Sequence, residues 1–124
     1  MASSASSRKE FIDWNVEQVT KYKTDGVDID WEYPGRQGAG CNSLDAQKDV
    51  PNLLTLLQEL RAALDKAFDT HKEISIAGYS EAFKTESGAA SNEVTASIGK
   101  VLDRVNIMSY DINGAWNNET GANS

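Results

Sequence analysis

The sequence of 124 residues has one cysteine, one histidine, two prolines and no long apolar run. With Cys41 alone, an intrachain disulfide is excluded, and one cysteine with one histidine, His71, does not supply a zinc site of the usual kind. No apolar stretch approaches the roughly 20 residues of a membrane helix. Basic residues number 12 against 19 acidic ones, and the net charge of −7 disfavours nucleic acid or an anionic membrane as a partner.

What the chain does contain is the composition of one ordinary globular domain, with 40% hydrophobic and 25% charged residues. Its first residues, Met1–Ser7, are small and polar and lack the apolar core of a signal peptide. We therefore predict a disordered lead over residues 1–8, no signal peptide, and a single domain over residues 9–124.

One stretch, Asp25–Pro34, alternates acids with bulky apolar residues. Successive side chains of a β-strand face opposite sides, so Asp28, Asp30 and Glu32 form one row. The opposite row is Val27, Ile29 and Trp31. An entirely apolar row is typical of a strand covered by helices. The acidic row then faces an interior or a cleft, where mutual repulsion favours keeping a proton on at least one of the three carboxyl groups.

The rest of the chain alternates helical and strand patterns. Apolar spacings of three and four predict a helix over about Lys9–Lys23 and a longer one capped by Asp49, while a weaker helix opens at Asn92. The predicted core stripes are Ile12, Val16, Val19 and Tyr22 in the first helix and Leu53, Leu57, Leu60 and Leu64 in the second. Strands are predicted in the acidic stretch, at Glu73–Tyr79 and at Arg104–Tyr110. This order predicts parallel βαβ units.

The run from Asp25 to Gly35, D-G-V-D-I-D-W-E-Y-P-G, resembles the D-x-x-D-x-D-x-E signature of glycoside hydrolase family 18, the chitinases and their relatives. A second segment, Asn106–Asp111, resembles the family's M-x-Y-D segment on a later strand. The resemblance implies an α/β fold, a partial TIM (β/α)8 barrel with about three parallel strands alternating with helices, because a complete barrel takes about 250 residues. The family's S-x-G-G segment and its late-barrel Trp have no counterpart here.

The resemblance also implies a chemistry, since family 18 is an exception among glycosidases in using the substrate's own acetamido group. Glu32 matches the general acid, and Asp30 matches the residue that orients the N-acetyl group. Asp28 matches a partner that shares a proton or hydrogen bond with Asp30. Tyr110 matches the hydroxyl that holds the acetyl oxygen. The substrate-binding candidates are Asp111, Met108 and Tyr33.

The partners implied by the resemblance are chitin or N-acetylglucosamine oligosaccharides, with no metal and no organic cofactor. Because family members are mostly secreted, an extracellular location is expected for the parent protein. The unpaired edges of a three-stranded sheet also predict self-association.

Three alternatives remain open. A chitinase-like protein of this family binds chitin oligosaccharides without hydrolysing them, although the intact Glu32 disfavours that reading. Asp28, Asp30 and Glu32 could instead bind a divalent cation, since hard cations favour clustered carboxylates. The chain could also be a partial product that folds poorly and has no activity.

Overall fold

The computed structural model describes residues 1–122, in which three helices alternate with three strands. The elements are α1 (Ala5–Tyr22), β1 (Gly26–Ile29), α2 (Asp49–Ala67), β2 (Glu73–Gly78), α3 (Asn92–Gly99) and β3 (Arg104–Ile107). The strands form one sheet in the order β1-β2-β3, and both neighbouring pairs are parallel. The predicted order of elements and the predicted parallel sheet are confirmed.

The core lies between the sheet and the helices. Val27 and Ile29 of β1 are buried, as the apolar row predicts, whereas Asp28 between them is exposed and is not enclosed in the predicted interior. Ile74 and Ile76 of β2 are buried beside them in register. The leucines of α2 that complete this core are at most 3% exposed: Leu53, Leu56, Leu57, Leu60 and Leu64. The predicted leucine stripe is therefore core packing, and Leu56 widens it because α2 contacts both α1 and α3.

Helix α1 begins at Ala5, which corrects the predicted disordered lead over residues 1–8. Ser4 is the N-cap, and its hydroxyl accepts a hydrogen bond from the Ser7 amide at 3.2 Å. Ala2 is buried. The prediction failed because serine is among the strongest N-cap residues and alanine is the best helix former, so this polar lead continues the helix.

The apolar stripe of α1 ends one turn earlier than predicted. Ile12 and Val19 are buried, but Tyr22 is 62% exposed. The helix stops at Tyr22, and Lys23 takes a left-handed φ of 56° that turns the chain into β1. The last predicted position of the stripe therefore faces solvent.

Within residues 1–122, β1 and β3 pair only with β2, so each outer strand is open along one edge. Val105 and Ile107 of β3 are 40% and 55% exposed. Self-association through these edges stays a prediction, which the mass of the chain in solution would test. In the described part of the chain, no helix has both the length and the apolar content needed to cross a membrane.

Asp103 ties together the loops that lead into β2 and β3. Its carboxylate accepts hydrogen bonds from the Ile74 amide and from His71 Nε2, both at 2.8 Å, and pairs with Arg61 of α2. Burial opposes its ionisation, but these hydrogen bonds and the charge of Arg61 lower the pKa of Asp103 below its ordinary value. The ionised carboxylate therefore contributes to the stability of the fold.

We expect Asp103→Asn to lower the free energy of unfolding near neutral pH by about 1.5–3 kcal/mol, the size of hydrogen bonds to a charged group. Because the pKa is depressed in the folded state, this stabilisation is fully present above the unfolded value of about 3.9. It is lost as pH falls through the folded-state pKa. Urea unfolding near neutral pH and at a series of lower pH values measures both effects, with the exposed Asp69→Asn as the matched control. Equal midpoints for Asp103→Asn and the native chain near neutral pH would contradict the prediction.

Candidate active site

The carboxyl edge of the sheet carries the residues that the two motifs single out. Asp28 lies on β1, and Asp30 and Glu32 follow that strand. Tyr110 and Asp111 follow β3. Because parallel strands end at the same edge of a sheet, and active sites of α/β folds form at that edge, both motifs contribute to one region.

Asp28 is held by the two neighbouring strands. The Ser75 hydroxyl of β2 donates a hydrogen bond to Asp28 Oδ1, and Asn106 Nδ2 of β3 donates to the same oxygen at 3.2 Å. Asp28 is therefore fixed by its strand neighbours. The shared proton or hydrogen bond with Asp30 that the resemblance implies stays a prediction.

Sequence reasoning assigned no role to Ser75 or Asn106. The alternation of side chains along a strand places Ser75 on the face of β2 opposite to Ile74 and Ile76, and Asn106 on the face of β3 opposite to Val105 and Ile107. Asp28 and Ser75 are direct partners in the parallel register. The sequence therefore indicated which face of its strand each residue occupies. The strand register that brings Ser75 next to Asp28 comes only from the structure.

Glu32 lies at the start of the loop that follows β1, with its side chain exposed. Its backbone carbonyl accepts a hydrogen bond from Asn42 Nδ2 at 3.1 Å. Gly38 packs on the same carbonyl so closely that an added Cβ would lie 2.0 Å from it. The peptide bond between Glu32 and Tyr33 is cis. The loop therefore folds back on the Glu32 backbone, while the Glu32 side chain stays exposed.

Tyr33 follows Glu32 directly and is partly buried. Burial raises the pKa of its phenol, and the Glu32 carboxylate raises it further through its charge and as a hydrogen-bond acceptor. The phenols of Tyr79 and Tyr110 make smaller contributions in the same direction. The two motifs are joined directly by the hydrogen bond from Asn106 to Asp28.

Asp49 anchors the far end of the same loop. The sequence predicted it as the cap of α2, but the N-cap is Lys48 and Asp49 lies in the first turn. Its buried Oδ2 accepts hydrogen bonds from the Gly35 amide at 3.3 Å and from the Asp45 amide at 3.0 Å. The loop after Glu32 is therefore fixed to α2 by a carboxylate.

The other predicted site residues have simpler surroundings. Met108 is only 9% exposed, and its amide donates to the Gly78 carbonyl at 2.9 Å, which extends the β2–β3 ladder. Asp111 is exposed and has a φ of 51°. Asp30 is exposed, and its carboxylate forms no hydrogen bond or ion pair in the described residues.

The acidic row does not form a cation site. Among residues 1–122, no group of three or more His, Cys, Asp or Glu side chains is placed to hold a metal ion. The clustered oxygen ligands that a hard divalent cation needs are therefore not assembled from Asp28, Asp30 and Glu32.

Comparisons with known proteins agree with the two motifs. The family model described as Glycosyl hydrolases family 18 matches residues 1–124. A chitinase-like effector from Moniliophthora roreri is 35% identical over 124 residues, which cover 98% of this chain and 28% of the relative. Chitinase A1 from Niallia circulans is 38% identical over 120 residues, which cover 94% of this chain and 16% of the relative.

Solved structures give the same result. The crystal structure of the chitinase RmChi1 from Rhizomucor miehei superimposes with a TM-score of 0.82 at 32% identity, over 98% of this chain and 32% of that chain. A mutant family 18 chitinase from Cycas revoluta in complex with (GlcNAc)4 gives 0.76 at 26% identity, over 98% of this chain and 34% of that chain. The chain spans about a third or less of these proteins, so its three strands are part of a barrel. Because the family model matches every residue, the chain belongs to glycoside hydrolase family 18.

Proposed function

We propose that this chain carries the acid-bearing part of a chitinase-type glycoside hydrolase. The enzyme would cleave β-1,4 linkages between N-acetylglucosamine units by substrate-assisted catalysis with retention of configuration. The observation that carries the proposal is the hydrogen bond that joins the two motifs, from Asn106 Nδ2 to Asp28 Oδ1 at 3.2 Å. Membership of family 18 supports the glycosidase class.

In the proposed reaction, Glu32 donates a proton to the glycosidic oxygen as the bond from that oxygen to the anomeric carbon breaks. The acetamido oxygen of the substrate attacks the same carbon, and a cyclic intermediate forms with positive charge on nitrogen. Asp30 stabilises this charge, and the Tyr110 hydroxyl holds the acetyl oxygen. Water then opens the intermediate and gives its proton to the Glu32 carboxylate.

Asp28 has a positioning role in this proposal. Hydrogen bonds from Ser75 and Asn106 fix its carboxylate on the acidic face of the sheet. A negative charge held in place before the reaction stabilises a developing positive charge without the cost of reorganising water. The proposal therefore assigns Asp28 the task of supporting Asp30 as the nitrogen becomes positive.

The proposed site needs more of the barrel than the three strands described. Tyr110 is 60% exposed, and the acidic side chains are exposed as well. Charges open to water interact weakly, whereas the stabilisation of a transition state by fixed charges is strong in a site from which water is excluded. We therefore expect no measurable turnover by the isolated chain.

The test places this sequence inside a complete barrel. Chitinase A1 from Niallia circulans is a suitable host, because the matched segment is 38% identical. In this graft, the present chain replaces the matched segment of the host. We expect the graft to release fluorophore from a chitobiose conjugate and the isolated chain to release none. A folded graft that binds chitin oligosaccharides without turnover would contradict the catalytic proposal.

That outcome would favour a second candidate function, the binding of chitin oligosaccharides without hydrolysis. The observation behind it is the 35% identity to a protein named a chitinase-like effector. Binding of (GlcNAc)4 to the graft, measured by titration calorimetry, separates the candidates when it is compared with turnover. Binding with turnover supports the hydrolase, and binding alone supports the second candidate. A folded graft with neither property would contradict both.

A further inference from the structure

Tyr79 contacts the Tyr33 ring, and Arg36 contacts Tyr79. Neither Tyr79 nor Arg36 has a role in the proposed reaction. The Tyr33 ring meets the Tyr79 ring edge to face, with centroids 5.0 Å apart and planes at 64°. The guanidinium of Arg36 lies over the Tyr79 ring, with its Cζ 4.6 Å from the centroid. Both are favourable arrangements, because an aromatic ring has a negative face and a positive edge.

Arg36 is itself held in place. Its Nη1 pairs with Glu81 Oε2 at 2.8 Å, and its Nη2 donates to the Ala82 carbonyl at 3.2 Å. The Arg36 side chain is only 14% exposed. An arginine this buried is stable when its donors have partners and its charge is compensated. Both conditions are met by residues of a single loop, the one that follows β2.

These contacts join two loops that follow neighbouring strands. Tyr33 and Arg36 belong to the loop after β1, whereas Tyr79, Glu81 and Ala82 belong to the loop after β2. Tyr79 is the first residue beyond β2 and follows Gly78, whose carbonyl accepts a hydrogen bond from the Met108 amide at 2.9 Å. The contact therefore links the Tyr33 ring, next to Glu32 in sequence, to the end of strand β2.

We propose that Tyr79 and Arg36 are positioning residues, which hold the Tyr33 ring against the sheet and so fix its hydroxyl beside the Glu32 carboxylate. The positioning of the Tyr33 ring is inferred from the loop contacts alone. Its effect on catalysis rests on the proposed function. Removal of the Tyr79 ring frees Tyr33 to rotate away from Glu32. A general acid whose neighbour is misplaced meets the substrate in the wrong geometry, and errors of about 1 Å cost rates on the order of 10²-fold.

The structural part is tested on the chain as it exists, by NMR of the phenol carbons. The chain has four tyrosines, so 13Cζ-tyrosine labelling gives few signals, and Tyr→Phe variants assign them. We expect Tyr79→Leu to move the Tyr33 signal and to shift its titration to lower pH, because the ring loses burial and its contact with Glu32. We expect Tyr79→Phe to leave the Tyr33 signal in place and to lower its titration only slightly, since the variant keeps the ring and removes only the smaller contribution of the Tyr79 phenol. The exposed Tyr22 signal reports on changes elsewhere.

Arg36→Gln is the second variant, and it keeps the proposal testable if Tyr79→Leu fails to fold. It removes the cation above the Tyr79 ring and leaves both rings in place, so the Tyr33 signal should move in the same direction by a smaller amount. A folded Tyr79→Leu or Arg36→Gln variant with unchanged Tyr33 shift and titration would overturn the proposal.

The catalytic consequence is tested in the graft. We expect Tyr79→Leu to lower kcat roughly 10- to 100-fold with little change in KM, and Tyr79→Phe to restore the rate. A merely structural role would change the amount of folded protein and not kcat per folded molecule. If Tyr79→Phe is as slow as Tyr79→Leu, the ring contact is not the cause, and the inference fails. If the unmodified graft has no turnover, the proposed function fails, and the NMR result decides this inference alone.

Discussion

Glu32→Gln in the graft should lower kcat for a chitobiose conjugate by about 10²–10⁴-fold, the usual contribution of a general acid. Glutamine keeps the size and the hydrogen-bonding reach of the side chain but has no acidic proton to give to the leaving oxygen. Because the substitution removes an interaction made only in the transition state, kcat should fall and KM should change little. Fluorophore release at saturating substrate measures the effect.

The matched control is Glu17→Gln, the same substitution at an exposed position of α1. It should leave turnover unchanged, since Glu17 is exposed and no hydrogen bond or ion pair among residues 1–122 joins it to either motif. An activity of Glu32→Gln above about a tenth of the unmodified graft would show that the general acid is another residue.

A parallel assay with a cellobiose conjugate checks the role of the acetamido group of the substrate. It has no acetamido group, so it should not be hydrolysed if that group is the nucleophile.

The element order could be predicted from the sequence because its signals are local. The period-two alternation around Asp28 and the period-three-to-four spacing of the leucines in α2 each depend only on neighbours along the chain. Both were confirmed, since Val27 and Ile29 are buried and Leu60 is fully buried. The same period of two determines which side chains share a face of a strand.

The contacts that define the candidate site could not be predicted, because they join residues far apart in sequence. Ser75 and Asn106 reach Asp28 across 47 and 78 residues. Their encounter depends on the register of the parallel strands, which no local pattern encodes. The contact between Arg36 and Tyr79 depends in addition on the conformations of two loops. The motif resemblance named the acids, but it did not identify what holds them.

Gly26 shows how a motif residue can be required by the backbone alone. A Cβ added at Gly26 would lie 1.9 Å from the Glu73 carbonyl oxygen and 2.7 Å from the Glu73 nitrogen. Gly26 and Glu73 are register partners, and the Glu73 amide donates to the Asp25 carbonyl at 2.8 Å. The obstacle is therefore backbone that is itself hydrogen bonded, so it cannot move aside as a flexible side chain can. Any larger residue at this position must push apart the first residues of strands β1 and β2.

Gly26→Ala should consequently destabilise the chain by about 3 kcal/mol, at the upper end of overpacking costs, which lowers the ratio of folded to unfolded protein by roughly 10²-fold. Gly99→Ala is the matched control, because nothing lies within 4 Å of its added Cβ. It ends α3 and should stabilise the chain by up to about 1 kcal/mol through helix propensity. The two glycine-to-alanine changes should therefore move the urea midpoint in opposite directions. Equal shifts of the two urea midpoints would mean that strands β1 and β2 do not pair closely at Gly26. A native chain that unfolds without a cooperative transition would support the alternative that the chain folds poorly.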